Sequence, residues 1–136
     1  MQRLQTRPQF QAALAGAIVA RTTHFALHRN TLDAKSLQAQ PGKVAETPAL
    51  FPIQDTWIGA MVPKRWAKRA VTRNAIKRQI YTVSADFSHQ YPQAAFVVRL
   101  RRDFSRTEFV SASSEPLKQA VRAEIQALMK AGAKAP

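Results

Sequence analysis

The stretch TWIGAMVPKRWAKRAVTRNAIKRQIYTVSADF, Thr56 to Phe87, decides how the rest of the chain is read. Thr56 to Val62 is a compact apolar run stopped by Pro63, the pattern of a buried strand. From about Trp66 the period changes. At 100° per residue, Thr72, Ile76, Ile80, Val83 and Phe87 fall within a sector about 80° wide, and Arg73, Asn74, Lys77, Arg78 and Tyr81 share an adjoining sector of about 140°. A helix from Trp66 to Phe87 with one core face and one basic face is expected. Beyond Pro92, Ala95 to Leu100 reads as a second buried strand with Phe-Val-Val at its centre. Strand, helix, strand makes a crossover unit, for which general chirality gives a right-handed connection.

The charge of this stretch is one-sided. No Asp or Glu occurs from Thr56 to Ala85, while Lys64, Arg65, Lys68, Arg69, Arg73, Lys77 and Arg78 fall close together. Arg99, Arg101, Arg102 and Arg106 form a second cluster, interrupted only by Asp103. The 136-residue chain carries 21 Lys and Arg against 8 Asp and Glu, a formal charge of +13. A surplus gathered into patches calls for a polyanion, because each Lys or Arg that meets a phosphate releases condensed counterions. An anionic membrane surface would accept the same charge, but the apolar residues here are committed to a core rather than left opposite a basic face.

Composition bounds the remaining possibilities. With 46% hydrophobic residues the chain can bury one core without staples, and with no cysteine it has neither disulfides nor thiolate-bound zinc. Ala12 to Ala20, the longest apolar stretch, is broken by Gly16 and too short for a bilayer, and residues 1–11 do not resemble a signal peptide. A cytoplasmic protein of one domain, residues 1–136, is expected.

Thr6, Pro8 and Gln9 read as a capping box opening a short helix with Phe10 and Leu14 one turn apart, ended by Gly16 in a left-handed conformation. Ala17–Ala20 and His24–His28 read as strands, Phe25 and Leu27 on one face, His24, Ala26 and His28 on the other. Residues 33–55, punctuated by Pro41, Gly42, Pro48 and Pro52, are expected to form a long loop. Ser113 and Ser114 before Glu115 and Pro116 mark a helix start, with Leu117, Val121, Ile125 and Leu128 as its stripe, and residues 131–136 read as a frayed tail. The expected class is α+β, an α/β sandwich of helices on a small sheet of about four strands, in the order αβββαβα.

Little here suggests protein-borne catalysis. The eight acids are scattered, most of them reading as caps or solvent-facing partners, so no catalytic residue and no metal site is assigned. His24 and His28, four apart on a strand, are too far separated to share a metal and read as ordinary, partly exposed strand residues; His28 is also a candidate to stack on a base. No glycine-rich loop cradles a phosphate. Phe10, Phe25, Trp66 and Tyr81 are candidates for base stacking, each weighed against simple core packing, and Tyr81 stands out for its place on the basic face.

Ile58-Gly59-Ala60-Met61-Val62-Pro63-Lys64-Arg65, followed by residues 68–78, resembles the protein subunit of bacterial ribonuclease P. That family has a glycine-containing strand ending in a Lys-Lys pair, a short basic connection and a helix bearing Arg-Asn-Arg-x-Lys-Arg. Gly59, Lys64, Arg65, Arg73, Asn74, Lys77 and Arg78 match in type and spacing. Residues 7–16 are similar to the family's first helix, and Phe25 to Leu27 to its aromatic strand. Ala75 replaces the motif's second arginine, Tyr81 stands where a basic residue is common, and Leu14 replaces an aromatic.

The resemblance implies a left-handed crossover in place of the general rule, and a ribonucleoprotein whose RNA performs the hydrolysis and binds the Mg2+ ions. It implies that Lys64, Arg65, Lys68, Arg69, Arg73, Asn74, Lys77 and Arg78 bind that RNA. A cleft holding the 5′ leader of precursor tRNA would draw on Phe10, Leu14, Phe25, His28 and Tyr81. The partners are then ribonuclease P RNA and precursor tRNA, with no membrane, no obligate protein partner and no cofactor on the protein alone. A general RNA-binding module such as a ribosomal protein is the main rival. A stand-alone nuclease comes after it.

Overall fold

In the chain, two apolar strand patterns flank an amphipathic helix, and the structure, a computed structural model, builds the sheet around them. It describes residues 1–32, 51, 53–104 and 115–134. The elements run β1 (Gln2–Arg3), α1 (Arg7–Leu14), β2 (Ala17–Arg21), β3 (Phe25–Asn30), β4 (Trp57–Met61), α2 (Ala70–Phe87), β5 (Ala95–Leu100) and α3 (Glu115–Ala133). One five-stranded sheet has the order β1-β4-β5-β3-β2. β1, β4 and β5 are parallel neighbours, while β3 and β2 are added antiparallel. The α+β class holds. The expected four strands gain a fifth, β1, whose two residues pair through backbone alone and leave no apolar pattern to read.

Alternation along the strands creates two unequal cores. Phe25, Leu27, Ile58, Ala60, Phe96, Val98 and Leu100 point to one face and pack against Ile76, Ile80 and Val83 of α2 and Val121, Ile125 and Leu128 of α3. On the other face Trp57, Ala95 and Val97 meet Leu4, Ala12, Ala13 and Phe51, with Phe10, Leu14 and Met61 partly buried against them. The eight-residue α1 lies on this second face.

Local signals explain most boundaries. Thr6 accepts from the Gln9 N–H while the Gln9 side chain accepts from the Thr6 N–H, the capping box expected at α1. α1 closes at Ala15 in ordinary helical conformation, so Gly16 is not the left-handed stop expected of it. Its role is space: a Cβ there would lie 1.9 Å from the Arg29 carbonyl oxygen. α2 starts at Ala70 rather than Trp66. Trp66 and Ala67 instead donate to the Pro63 carbonyl in a separate turn, and Arg69 is extended before the helix begins. α3 runs to Ala133, so residues 131–133 are helical rather than a frayed tail. Gly132 lets the last turn rest on Leu27 and Tyr91, whose hydroxyl donates to the Met129 carbonyl. Most of the 33–55 loop, the Ser113–Ser114 start and Arg106 lie outside the described residues.

Candidate RNA interface

Register carries both basic clusters to one end of the sheet. Met61, which ends β4, pairs with Arg99, so Lys64 and Arg65 emerge beside Arg99 to Arg102. Lys64, Arg65, Lys68, Arg69, Asn74 and Arg78 are exposed, while Arg73 and Lys77 are half-buried along α2. α2 opens without a side-chain cap and with no acid in its first turn. Its amides and the positive end of its dipole thus add to the cations around them. Two arginines of these clusters are partly committed to the fold. Arg73 donates from one guanidinium nitrogen to the carbonyls of Ala67 and Lys68 at 3.0 and 2.9 Å, holding the approach to α2, and Arg101 donates to the carbonyls of Thr22 and Thr23 at 2.9 and 3.2 Å. Arg65 stacks over Trp66 at 5.2 Å, and Trp66 itself packs on the larger core.

The five residues expected in one cleft divide between the two faces. Phe10, Leu14 and His28 are on the α1 face. Phe10 rests on Gly59: a Cβ there would meet the Phe10 ring at 2.6 Å and Leu4 at 2.7 Å, so this glycine lets α1 approach β4. Phe25 is fully buried on the α2 and α3 side and offers no ring surface to a base. Tyr81 packs on that same side, its hydroxyl accepting the Ala60 N–H at 3.2 Å. Arg99, read from the sequence only as part of a charge cluster, joins the α1 face by donating from Nε to His28 Nε2 at 3.1 Å.

That bond fixes the histidine's protonation. A guanidinium only donates, so Nε2 is the acceptor and the neutral ring carries its proton on Nδ1. Burial lowers the His28 pKa, and the charges of Arg99 and Arg21 lower it further, against a contribution from the Leu14 backbone in the opposite sense. Nδ1 is buried and turned toward the Leu14 backbone. His28 is therefore a buried, neutral residue, not the partly exposed one expected. His24 lies just before β3, stacked on Phe104 at 4.0 Å, and Glu124 accepts from its Nδ1 and backbone N–H and from Thr22 Oγ1, each at 2.7 Å. Glu124 is thus an inward-facing tie between α3 and the β2–β3 turn, unlike the solvent-facing acid expected. Among the described residues no three His, Asp or Glu side chains gather to hold a metal ion.

A family model described as Ribonuclease P matches residues 1–130. The chain belongs to the ribonuclease P protein family. Relatives from Bordetella petrii and Bordetella parapertussis, each a "Ribonuclease P protein component", are 30% identical over 125 residues, covering 92% of this chain and 86% of theirs. The fold is that of the ribonuclease P protein of Staphylococcus aureus (TM-score 0.64, 16% identity, 96% of this chain and 94% of that one). The protein from Thermotoga maritima superimposes comparably (TM-score 0.60, 17% identity, 96% of both chains). As a member of the family the chain is the accessory subunit of an endoribonuclease of tRNA processing, and its partner is an RNA. No helix among the described residues is long and apolar enough to cross a membrane.

Proposed function

We propose that the chain binds the catalytic RNA of ribonuclease P through the segment from Lys64 to Arg78 and holds the 5′ leader of precursor tRNA on the α1 face. The observation that carries this reading is the cation cluster: an acid-free segment, exposed around the uncapped start of α2, at the end of the sheet where Arg99 to Arg102 also emerge. Such a surface matches a phosphate backbone and selects no base. On the other side of the sheet, Phe10 and Leu14 provide half-buried apolar surface beside Arg99 and His28, a combination suited to a flexible single strand.

In this reading the RNA supplies the hydrolytic centre and its Mg2+, and the protein contributes binding and orientation. Its cations offset repulsion between two RNAs, and its α1 face adds contacts that a precursor has and a mature tRNA lacks. The reaction is then cytoplasmic and needs no further protein. Cleavage of precursor tRNA in Mg2+ tests this: the protein alone should leave the substrate intact, and the mature 5′ end should appear with the catalytic RNA present. Site-specific cleavage by RNA-free protein would overturn the proposal. Binding to unrelated structured RNAs as tight as to the catalytic RNA would favour the general RNA-binding module.

A further inference from the structure

We propose that Arg3 is an additional phosphate contact, delivered onto the basic face of α2 by the ring of Tyr81. The inference rests on the reading of that face as an RNA interface and extends it to an element that the basic motif does not include.

Strand register sends the side chain there. Arg3 pairs with Ile58, whose side chain faces α2 and α3, while the next residue, Leu4, turns to the opposite face. The Arg3 guanidinium carbon lies 4.1 Å from the Tyr81 ring centroid. The ring is itself anchored. β1 ends at Arg3, which leaves the Ala60 N–H without a neighbouring strand, and the Tyr81 hydroxyl accepts it at 3.2 Å. On the helical wheel Tyr81 falls between Lys77 and Arg78, one turn further along α2. An aromatic residue thus occupies the middle of the basic sector, and a cation from the far end of the chain lies over it.

Arg3 is exposed, and among the described residues it forms no ion pair. The nearby carboxylate of Asp55 is engaged by the N-terminal ammonium at 3.4 Å and by the Gln2 amide at 3.2 Å. A guanidinium lying on a ring keeps its N–H edges for another acceptor, and its forked donors fit a phosphate at two oxygens. Because the ring already restricts the side chain, less freedom is lost on contact than for an unrestrained arginine.

The test is binding of the full chain to the catalytic RNA over a range of salt concentrations. Arg3→Ala should weaken binding and reduce the log-log salt slope by about 0.7 to 0.9, the value of one phosphate contact. Arg3→Lys should keep the slope. Tyr81→Phe retains the ring but loses the bond that anchors it to the Ala60 N–H, and should bind more tightly than Tyr81→Leu and less tightly than the parent. Tyr81→Leu should weaken binding, and Arg3→Ala/Tyr81→Leu should lose less than the two single losses combined. Melting curves identify any variant that is unfolded; if Tyr81→Leu is, the Arg3→Ala slope decides alone. A slope unchanged in Arg3→Ala but reduced in Lys77→Ala overturns the proposal and leaves the α2 interface standing. A slope unchanged in both overturns the interface itself.

Discussion

Lys77 and Arg73 are a turn apart on α2 and do different work. Lys77 makes no ion pair among the described residues, so Lys77→Ala should lower the salt slope of RNA binding by about 0.7 to 0.9 while leaving the melting temperature nearly unchanged. Arg73 also holds the carbonyls of Ala67 and Lys68, so Arg73→Ala should lose about 1 kcal/mol of stability besides weakening RNA binding. Chemical denaturation alongside the binding titration separates the two. His28 supplies a pH dependence of known sign. Its pKa is lowered in the folded chain, so below the ordinary histidine value the unfolded chain holds more protons. Stability should therefore fall as pH drops from 7 to 5, and His28→Asn should shrink that fall, as read from melting temperatures at the two pH values. An equal fall in both proteins would show that His28 does not titrate against folding.

Among the elements, α1 depends on the absence of a side chain beneath it. Gly59→Ala inserts a methyl group into the Phe10 ring and Leu4, and should cost about 1 to 3 kcal/mol by lifting α1 from β4, measurable by denaturant unfolding. The paired variant Gly59→Ala/Phe10→Ala should recover part of that loss. α2 and α1 were legible in the sequence for separate reasons: the Ile76, Ile80, Val83 period in one and reciprocal bonding of Thr6 and Gln9 in the other. β1 was not legible, since its two residues pair through main-chain groups that every sequence possesses. Strand alternation already set Phe25 opposite His28, and burial assigns them to different faces, against their grouping in one cleft. The seating of Phe10 over Gly59 is a tertiary contact that no local period reveals. The commitments of Arg73, Arg101 and Glu124 were hidden for the same reason, because their partners lie in other elements or turns.

At the scale of the whole molecule, the described residues leave the two sides of the sheet unequal: two long helices on one, a single short helix on the other. Amide hydrogens of α1 should accordingly exchange ahead of those in β3 and β5, a difference that residue-resolved hydrogen exchange reads directly. The crowding at the start of α2 has a different consequence. Gathering like charges around a helix end that lacks an acidic counterweight costs electrostatic work, and the free chain bears that self-repulsion alone. Dissolved ions screen it. Ionic strength should therefore act with opposite sign on the protein's two states, raising the melting temperature of the isolated chain over the same range in which it loosens the ribonucleoprotein.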